Sequence, residues 1–175
     1  MIAKTATKIA TSTEPSRAQA PAWAWMVATF FGAGFGRPGP GTWASVATTL
    51  LWGGFARYAA PATLSVYAAV TAVVVTLLGI PAATRVARAI GKEDPSQVVI
   101  DEVAGQMVAF IGVPLNWKCL LAGLILFRAF DITKPFPIRR LEHLPEGTGI
   151  MLDDIGAGLY ALAVMQLLLH FGILK

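Results

Sequence analysis

Apolar residues in this chain gather into long runs, separated by short clusters of charge, proline and glycine. Trp43 to Tyr58 is one such run, and Pro61 to Ala83 is the clearest, about 23 residues with no charge inside it. A helix of that length crosses the ~30 Å hydrocarbon core of a bilayer. It leads into Arg85, Arg88 and Lys92, the kind of basic cluster that marks the cytoplasmic end of a membrane helix. Asp94-Pro95-Ser96 breaks the chain, and Val98 to Val113 resumes it with Asp101 and Glu102 in the first turn. Pro114-Leu115-Asn116 reads as a tight turn, Trp117 to Phe130 as a further run, and Ile155 to Leu174 as a last apolar helix. The pattern predicts an all-α fold, a polytopic integral membrane helical bundle of about four to five membrane helices plus short interfacial helices.

The remaining segments are shorter or more polar. Residues 1–20 form a polar, small-residue stretch with Lys4, Lys8 and Arg17 and without the continuous apolar region of a signal peptide. They are expected to be a disordered cytoplasmic tail, leaving residues 21–175 as the membrane-embedded domain. Pro21 to Phe35, at 15 residues, is short for a span and suits an interfacial or re-entrant helix. Ile138 to His143, with Arg139, Arg140 and Glu142, is expected on the membrane surface, and Gly147-Thr148-Gly149 is expected to be flexible linker.

Composition agrees with insertion. Hydrophobic residues make up 55% of the 175 and charged ones 14%, with mean hydropathy +0.63. That is more apolar surface than one small core can bury. The net charge of +4 is confined to a few loops, so it reads as membrane orientation and not as a nucleic-acid footprint. The single cysteine, Cys119, excludes an internal disulfide and offers no metal-site spacing. No obligatory protein partner is evident.

The few charges inside the apolar region fall at its borders. In Phe127-Arg128-Ala129-Phe130-Asp131-Ile132-Thr133-Lys134-Pro135-Phe136-Pro137, the residues Arg128, Asp131 and Lys134 lie at i, i+3 and i+6. On a helix they share one face, and the prolines then end the helix. Gly36 to Ser45 is a Pro/Gly loop in which Thr42 is expected to cap the run that follows. Amides at that helix start, with Gly41 and the Thr42 and Ser45 hydroxyls, can hold an anion, although most such turns are only turns. The P-loop lysine is missing. Asp153 and Asp154 open the last helix, and Gly158, one turn on, lets a neighbouring helix come close to Asp154.

If the basic loops face the cytoplasm, all these clusters share that face, while the outer loops hold only Arg57 and Lys118. The bland alternative is a set of solvated helix ends with their own ion pairs. Acids at a helix start are partly explained by the dipole; two adjacent acids at a membrane border ask for more. Five carboxylates, Asp101, Glu102, Asp131, Asp153 and Asp154, make a hard oxygen set suited to Mg²⁺. Arg128 and Lys134 would complement phosphate. The residues thus predict a Mg²⁺-dependent enzyme acting on a phosphorylated lipid headgroup at the inner leaflet. Asp131, Lys134 and Arg128 are the expected catalytic groups, and Gly41, Thr42 and Ser45 join Arg128 and Lys134 in holding substrate.

Four motifs carry a resemblance. Pro40-Gly41-Thr42-x-x-Ser45, Asp101-Glu102-x-x-Gly105-Gln106, Phe127-Arg128-x-x-Asp131-x-x-Lys134-Pro135-x-Pro137-Ile138 and Gly149-Ile150-Met151-x-Asp153-Asp154-x-x-Ala157-Gly158 together resemble the phosphatidylglycerophosphatase A family. Ala44 stands where a glycine is common in the first motif. The resemblance runs from about Trp23 to Leu174. It implies a multi-pass protein of the bacterial inner membrane with its active site on the cytoplasmic side. It also implies a Mg²⁺-dependent enzyme that removes the terminal phosphate of phosphatidylglycerophosphate, yielding phosphatidylglycerol.

Other chemistries fit less well. Cys119 is too far from Arg128 for a Cys-x₅-Arg phosphatase, Asp131-Ile132-Thr133 lacks the second acid of an Asp-x-Asp nucleophile, and His143 and His170 do not pair. The Asp-Gly-x₂-Ala-Arg pattern of lipid phosphotransferases is missing. The rival from another class is a small ion-coupled membrane transporter whose carboxylates bind ions. Its charges would be wanted at mid-membrane, whereas here they sit at helix ends.

Overall fold

The computed structural model describes residues 19–174, so the expected tail lies outside the described residues up to Arg17 and Ala18. Six α-helices follow in order: α1 Ala22–Ala28, α2 Pro40–Ala56, α3 Leu64–Ile90, α4 Ile100–Ala109, α5 Trp117–Thr133 and α6 Glu146–His170. Short 3₁₀ turns at Ala33–Phe35, Pro61–Thr63 and Ile138–His143 join them, and no strand occurs among the described residues.

Local chemistry sets most of the boundaries. Gly39 takes a left-handed conformation (φ 68°) ahead of α2, and Pro40 occupies the first turn, where its missing N–H costs nothing. Thr42 therefore sits inside the helix and is not its cap, contrary to expectation, because glycine fits the left-handed entry and threonine does not. Gly91 ends α3 in the same left-handed region (φ 75°), with its N–H donating to the Ala87 carbonyl at 2.8 Å. Asn116 caps α5 by accepting from the Cys119 N–H at 2.8 Å.

The short helix α4 is the hub. All of its residues but Glu102 are buried, and it packs against α2, α3, α5 and α6. Its tightest crossing is with α6. A Cβ at Gly105 would lie 2.5 Å from the Asp154 carbonyl oxygen, and one at Gly158 would collide with the Gly105 carbonyl. The close approach expected at Gly158 is present, and it is reciprocal. Around this hub, α3 turns Val66, Val70, Val73, Val74, Leu77 and Leu78 outward as an exposed apolar strip. Such a strip suits contact with hydrocarbon.

Two helical segments are long and apolar enough to cross a membrane, Pro61–Ile90 and Glu146–His170. The expectation of four to five spans is therefore met only in this coarser form. At about 1.5 Å per residue, the 17 residues of α2 and of α5 reach about 25 Å, and the 10 of α4 about 15 Å. The Trp23–Phe35 segment is not one continuous helix: α1 has seven residues, and Phe30, Phe31 and Gly32 all turn to positive φ behind it.

The linker reading is overturned as well. Gly147-Thr148-Gly149 is not linker but the first turn of α6, which begins at Glu146 and not at Ile155. Gly147 donates its N–H to Thr84 Oγ1 at 3.1 Å, and any side chain there would strike the backbone of α3. These glycines permit close helix packing; they do not loosen the chain.

Candidate active site

Five structural pieces meet at the polar end of the bundle. The start of α4 brings Asp101 and Glu102, and the end of α5 brings Arg128, Asp131 and Lys134. The α6 helix supplies Asp153 and Asp154 from its second and third turns, not from its first, because it starts so early. The start of α2 adds Pro40 and Gly41, and the α3–α4 loop adds Asp94, Ser96 and Val98. All of these residues but Arg128 line a cavity of about 180 Å³. All five carboxylates expected from the sequence line it, and so does Lys134.

Ion pairs fix the two cations. Arg128 Nη1 donates to Asp131 Oδ2 at 2.5 Å and stands 3.6 Å from Glu102 Oε1. Lys134 does not join them on one helical face, as the i, i+3, i+6 spacing suggests. The α5 helix ends at Thr133, and Lys134 takes a left-handed conformation (φ 41°) that redirects its side chain. Its ammonium donates to Asp153 Oδ2 and to Glu142 Oε1, each at 2.5 Å. Burial alone would pull this ammonium down, but the hydrogen bonds to Asp153 and Glu142 outweigh it and hold Lys134 above the usual lysine range.

The anions are less well served. Asp101 Oδ1, Glu102 Oε2 and Asp154 Oδ2 are buried without a hydrogen-bond partner, as is Nε of Arg128. One carboxylate oxygen from each of Asp101, Glu102 and Asp154 lies within 4.8 Å of the others. Three acids so placed repel one another, and burying carboxylate oxygens without a hydrogen-bond partner is costly. A cation among them would remove both penalties. The three acids form a set that can hold a metal ion, and their hard oxygens favour a hard divalent cation over a thiophilic one.

The α2 residues divide by position. Gly41 faces the acids directly: a Cβ there would overlap the Glu102 carboxylate and come within 3.1 Å of Arg128 Nη1. Ser45 is buried and donates to the Gly41 carbonyl at 2.9 Å, while Thr42 is exposed; neither hydroxyl lines the cavity. Two residues at the site were not singled out from the sequence. Asp94 lines the cavity although its Asp-Pro pair read only as a chain break, and Glu142 anchors Lys134 although it read as part of a surface helix. For Asp94, the one available signal was its place before a proline a few residues ahead of the acid-bearing helix.

A family model described as phosphatidylglycerophosphatase A matches residues 26–169, a span that includes every residue of the cavity. The chain belongs to the phosphatidylglycerophosphatase A family. Among curated proteins, it is 37% identical over 142 residues to phosphatidylglycerophosphatase A of Haemophilus influenzae, covering 80% of this chain and 85% of that one. It is 31% identical over 147 residues to phosphatidylglycerophosphatase A of Escherichia coli, covering 83% of each. A protein of Bacteroides thetaiotaomicron named putative phosphatidylinositol-3-phosphatase is 37% identical over 141 residues, covering 78% of this chain and 87% of its own. No solved structure matches the chain. Membership of the phosphatidylglycerophosphatase A family makes the chain a phosphatase of phospholipid metabolism, with a three-acid set that could hold a metal ion.

Proposed function

We propose that this protein hydrolyses the terminal phosphate of phosphatidylglycerophosphate, releasing phosphatidylglycerol and phosphate, with Mg²⁺ bound at Asp101, Glu102 and Asp154. The observation that carries the reading is the coincidence of three neighbouring carboxylates, each with a buried oxygen that lacks a hydrogen-bond partner, with Lys134 on the wall of the same small cavity and Arg128 held beside it by Asp131. Bound there, Mg²⁺ would polarise a phosphoryl oxygen and neutralise developing negative charge.

The chain's own groups divide the remaining work. Lys134, bridged between Asp153 and Glu142, and Arg128, held by Asp131, supply fixed positive charge for the non-bridging phosphate oxygens. Asp131 stands outside the three-acid set and orients the attacking water, accepting its proton as the new P–O bond forms. The bond from phosphorus to the headgroup oxygen breaks, and that oxygen takes up a proton to leave as the lipid alcohol. Gly41 keeps the cavity mouth clear of side chain beside Glu102. A site built for a bare transported cation has no need of Arg128 and Lys134 among its acids, which favours the phosphatase over the transporter.

The two long apolar segments and the outward strip of α3 support a membrane location. We place the reaction on the cytoplasmic side of a bacterial inner membrane, because Arg85, Arg88, Lys92, Arg139 and Arg140 gather at that end of the chain's spans. The deciding experiment is phosphate release from phosphatidylglycerophosphate by the purified protein in detergent, with and without chelator. Release that stops in chelator and returns with Mg²⁺ is expected. No release under any metal condition overturns the reading.

A further inference from the structure

Among the described residues, Lys134 is the one cation on the wall of the acid-lined cavity. Its own helix gives its side chain no direction. The α5 helix ends at Thr133, and Lys134 leaves it in a left-handed conformation. A lysine head is a compact charge with three rotatable donors on a flexible stem, so its aim has to come from its acceptors. Asp153 Oδ2 and Glu142 Oε1 are those acceptors, each at 2.5 Å.

One packed unit carries both acceptors. Asp153 lies on α6 one turn after Gly149, and a Cβ at Gly149 would lie 3.0 Å from the Glu142 carbonyl oxygen. The backbone of the Ile138–His143 corner therefore rests directly on α6 beside Asp153. The Glu142 side chain stays out of the acid-lined cavity. It lines a larger neighbouring chamber of about 770 Å³, between the end of α3 and the same corner, and Lys134 does not line that chamber. Among the described residues the Glu142 carboxylate has no hydrogen-bond or ion-pair partner besides the Lys134 ammonium, so it meets the site through that ammonium alone.

Charge does not explain the second carboxylate. Asp153 and Glu142 bring two negative charges to the single positive charge of Lys134, so Glu142 adds nothing to the attraction for a phosphate. What it adds is direction. With one acceptor the ammonium can swing about that bond; with two acceptors on a fixed platform, tetrahedral geometry sets the third N–H. A donor preorganised in this way stabilises charge as it develops, without reorganising at the moment of reaction. We propose that Glu142 is a positioning residue, which aims the remaining N–H of Lys134 at a non-bridging oxygen of the phosphoryl group under transfer. The proposal rests on the phosphatase reading and adds to it a residue from outside the cavity.

Phosphate release from phosphatidylglycerophosphate by the purified full-length protein, in detergent with Mg²⁺, tests this. The wild type is compared with Glu142→Ala, Glu142→Gln, Lys134→Ala and the double variant Glu142→Ala/Lys134→Ala. Glu142→Ala should lower kcat on the order of tenfold, less than the roughly 10²–10³ that losing a donor outright costs. Its KM should not rise, because a negative charge near the phosphate has gone. Glu142→Gln keeps an oxygen that accepts from the ammonium, so its kcat should stay within about threefold of the wild type. On the Lys134→Ala background, Glu142→Ala should change turnover by no more than about twofold, whereas a merely structural residue costs the same factor with or without Lys134. Unchanged kcat in Glu142→Ala, a loss seen only as raised KM, or the full loss on the Lys134→Ala background overturns the positioning role while phosphatase activity stands. If Lys134→Ala releases no measurable phosphate, the amide variant decides: an equal fall in Glu142→Gln and Glu142→Ala overturns the role, and rescue by glutamine upholds it. A wild type that releases no phosphate overturns the phosphatase reading and this proposal with it.

Discussion

Gly158 of α6 lies so close to the carbonyl of Gly105 in α4 that no side-chain carbon fits between them. Each glycine lies one turn beyond acids of the proposed metal set, Gly105 after Asp101 and Glu102, and Gly158 after Asp154. The separation of the acids is thus set by backbone against backbone. Gly158→Ala should push the two helices apart and cost about 1–3 kcal/mol, as overpacking does elsewhere. Phosphate release should fall with it. Gly156→Ala is the control, because its Cβ would meet only the ends of the Leu141 and Ile138 side chains at 3.2 and 3.3 Å. Thermal unfolding in detergent, with activity measured in parallel, separates the two; equal behaviour would show that the crossing does not set the site.

Asp131→Asn keeps the shape of the carboxylate but gives up its charge and its hold on Arg128. The variant should reach the membrane at normal levels and lose on the order of 10²–10³ in turnover. Thr42→Ala should do much less, since Thr42 is exposed and its hydroxyl does not line the cavity. Phosphate release at matched membrane expression checks both. Near-normal turnover in Asp131→Asn together with silence in Thr42→Ala would move the reaction to the α2 loop.

Metal binding should be visible without turnover. Whatever binds only the folded state stabilises it by mass action. Mg²⁺ should therefore raise the unfolding temperature of the purified protein, and EDTA should lower it. Glu102→Gln and Asp154→Asn should each blunt the Mg²⁺ response. An unfolding temperature indifferent to Mg²⁺ in the wild type would count against the three-acid site.

Topology gives an independent check. Cysteines placed at Lys92 and Arg140 should resist a membrane-impermeant thiol reagent added outside intact cells, while one at Lys118 should react. Cys119 is buried and leaves little background. Labelling at position 92 but not at 118 would reverse the proposed orientation.

The gathering of the acids was legible in the sequence because a single rule governs it: charge that cannot lie in hydrocarbon collects where apolar runs end. Asp101, Glu102, Asp131, Asp153 and Asp154 all follow that rule and all line one cavity. The partner of Lys134 was not legible. Helical periodicity places a residue only while the helix lasts, and α5 stops one position before it. Gly147 and Gly149 misled for a related reason. Glycine permits a flexible backbone and a close helix contact alike, and only the neighbouring backbone of α3 and of Leu144 shows which is in play. Asp94 was hidden because no periodic pattern covers a loop.

The outward strip of α3 is built from Val66, Val70, Val73, Val74, Leu77 and Leu78, and none of these side chains lines either the acid-walled cavity or its neighbouring chamber. The apolar outer face of α3 and the chemistry are therefore written on separate residues of this chain. Recoding that strip with glutamate, lysine and glutamine, helix-compatible polar residues, would strip α3 of its apolar outer face with the reaction centre untouched.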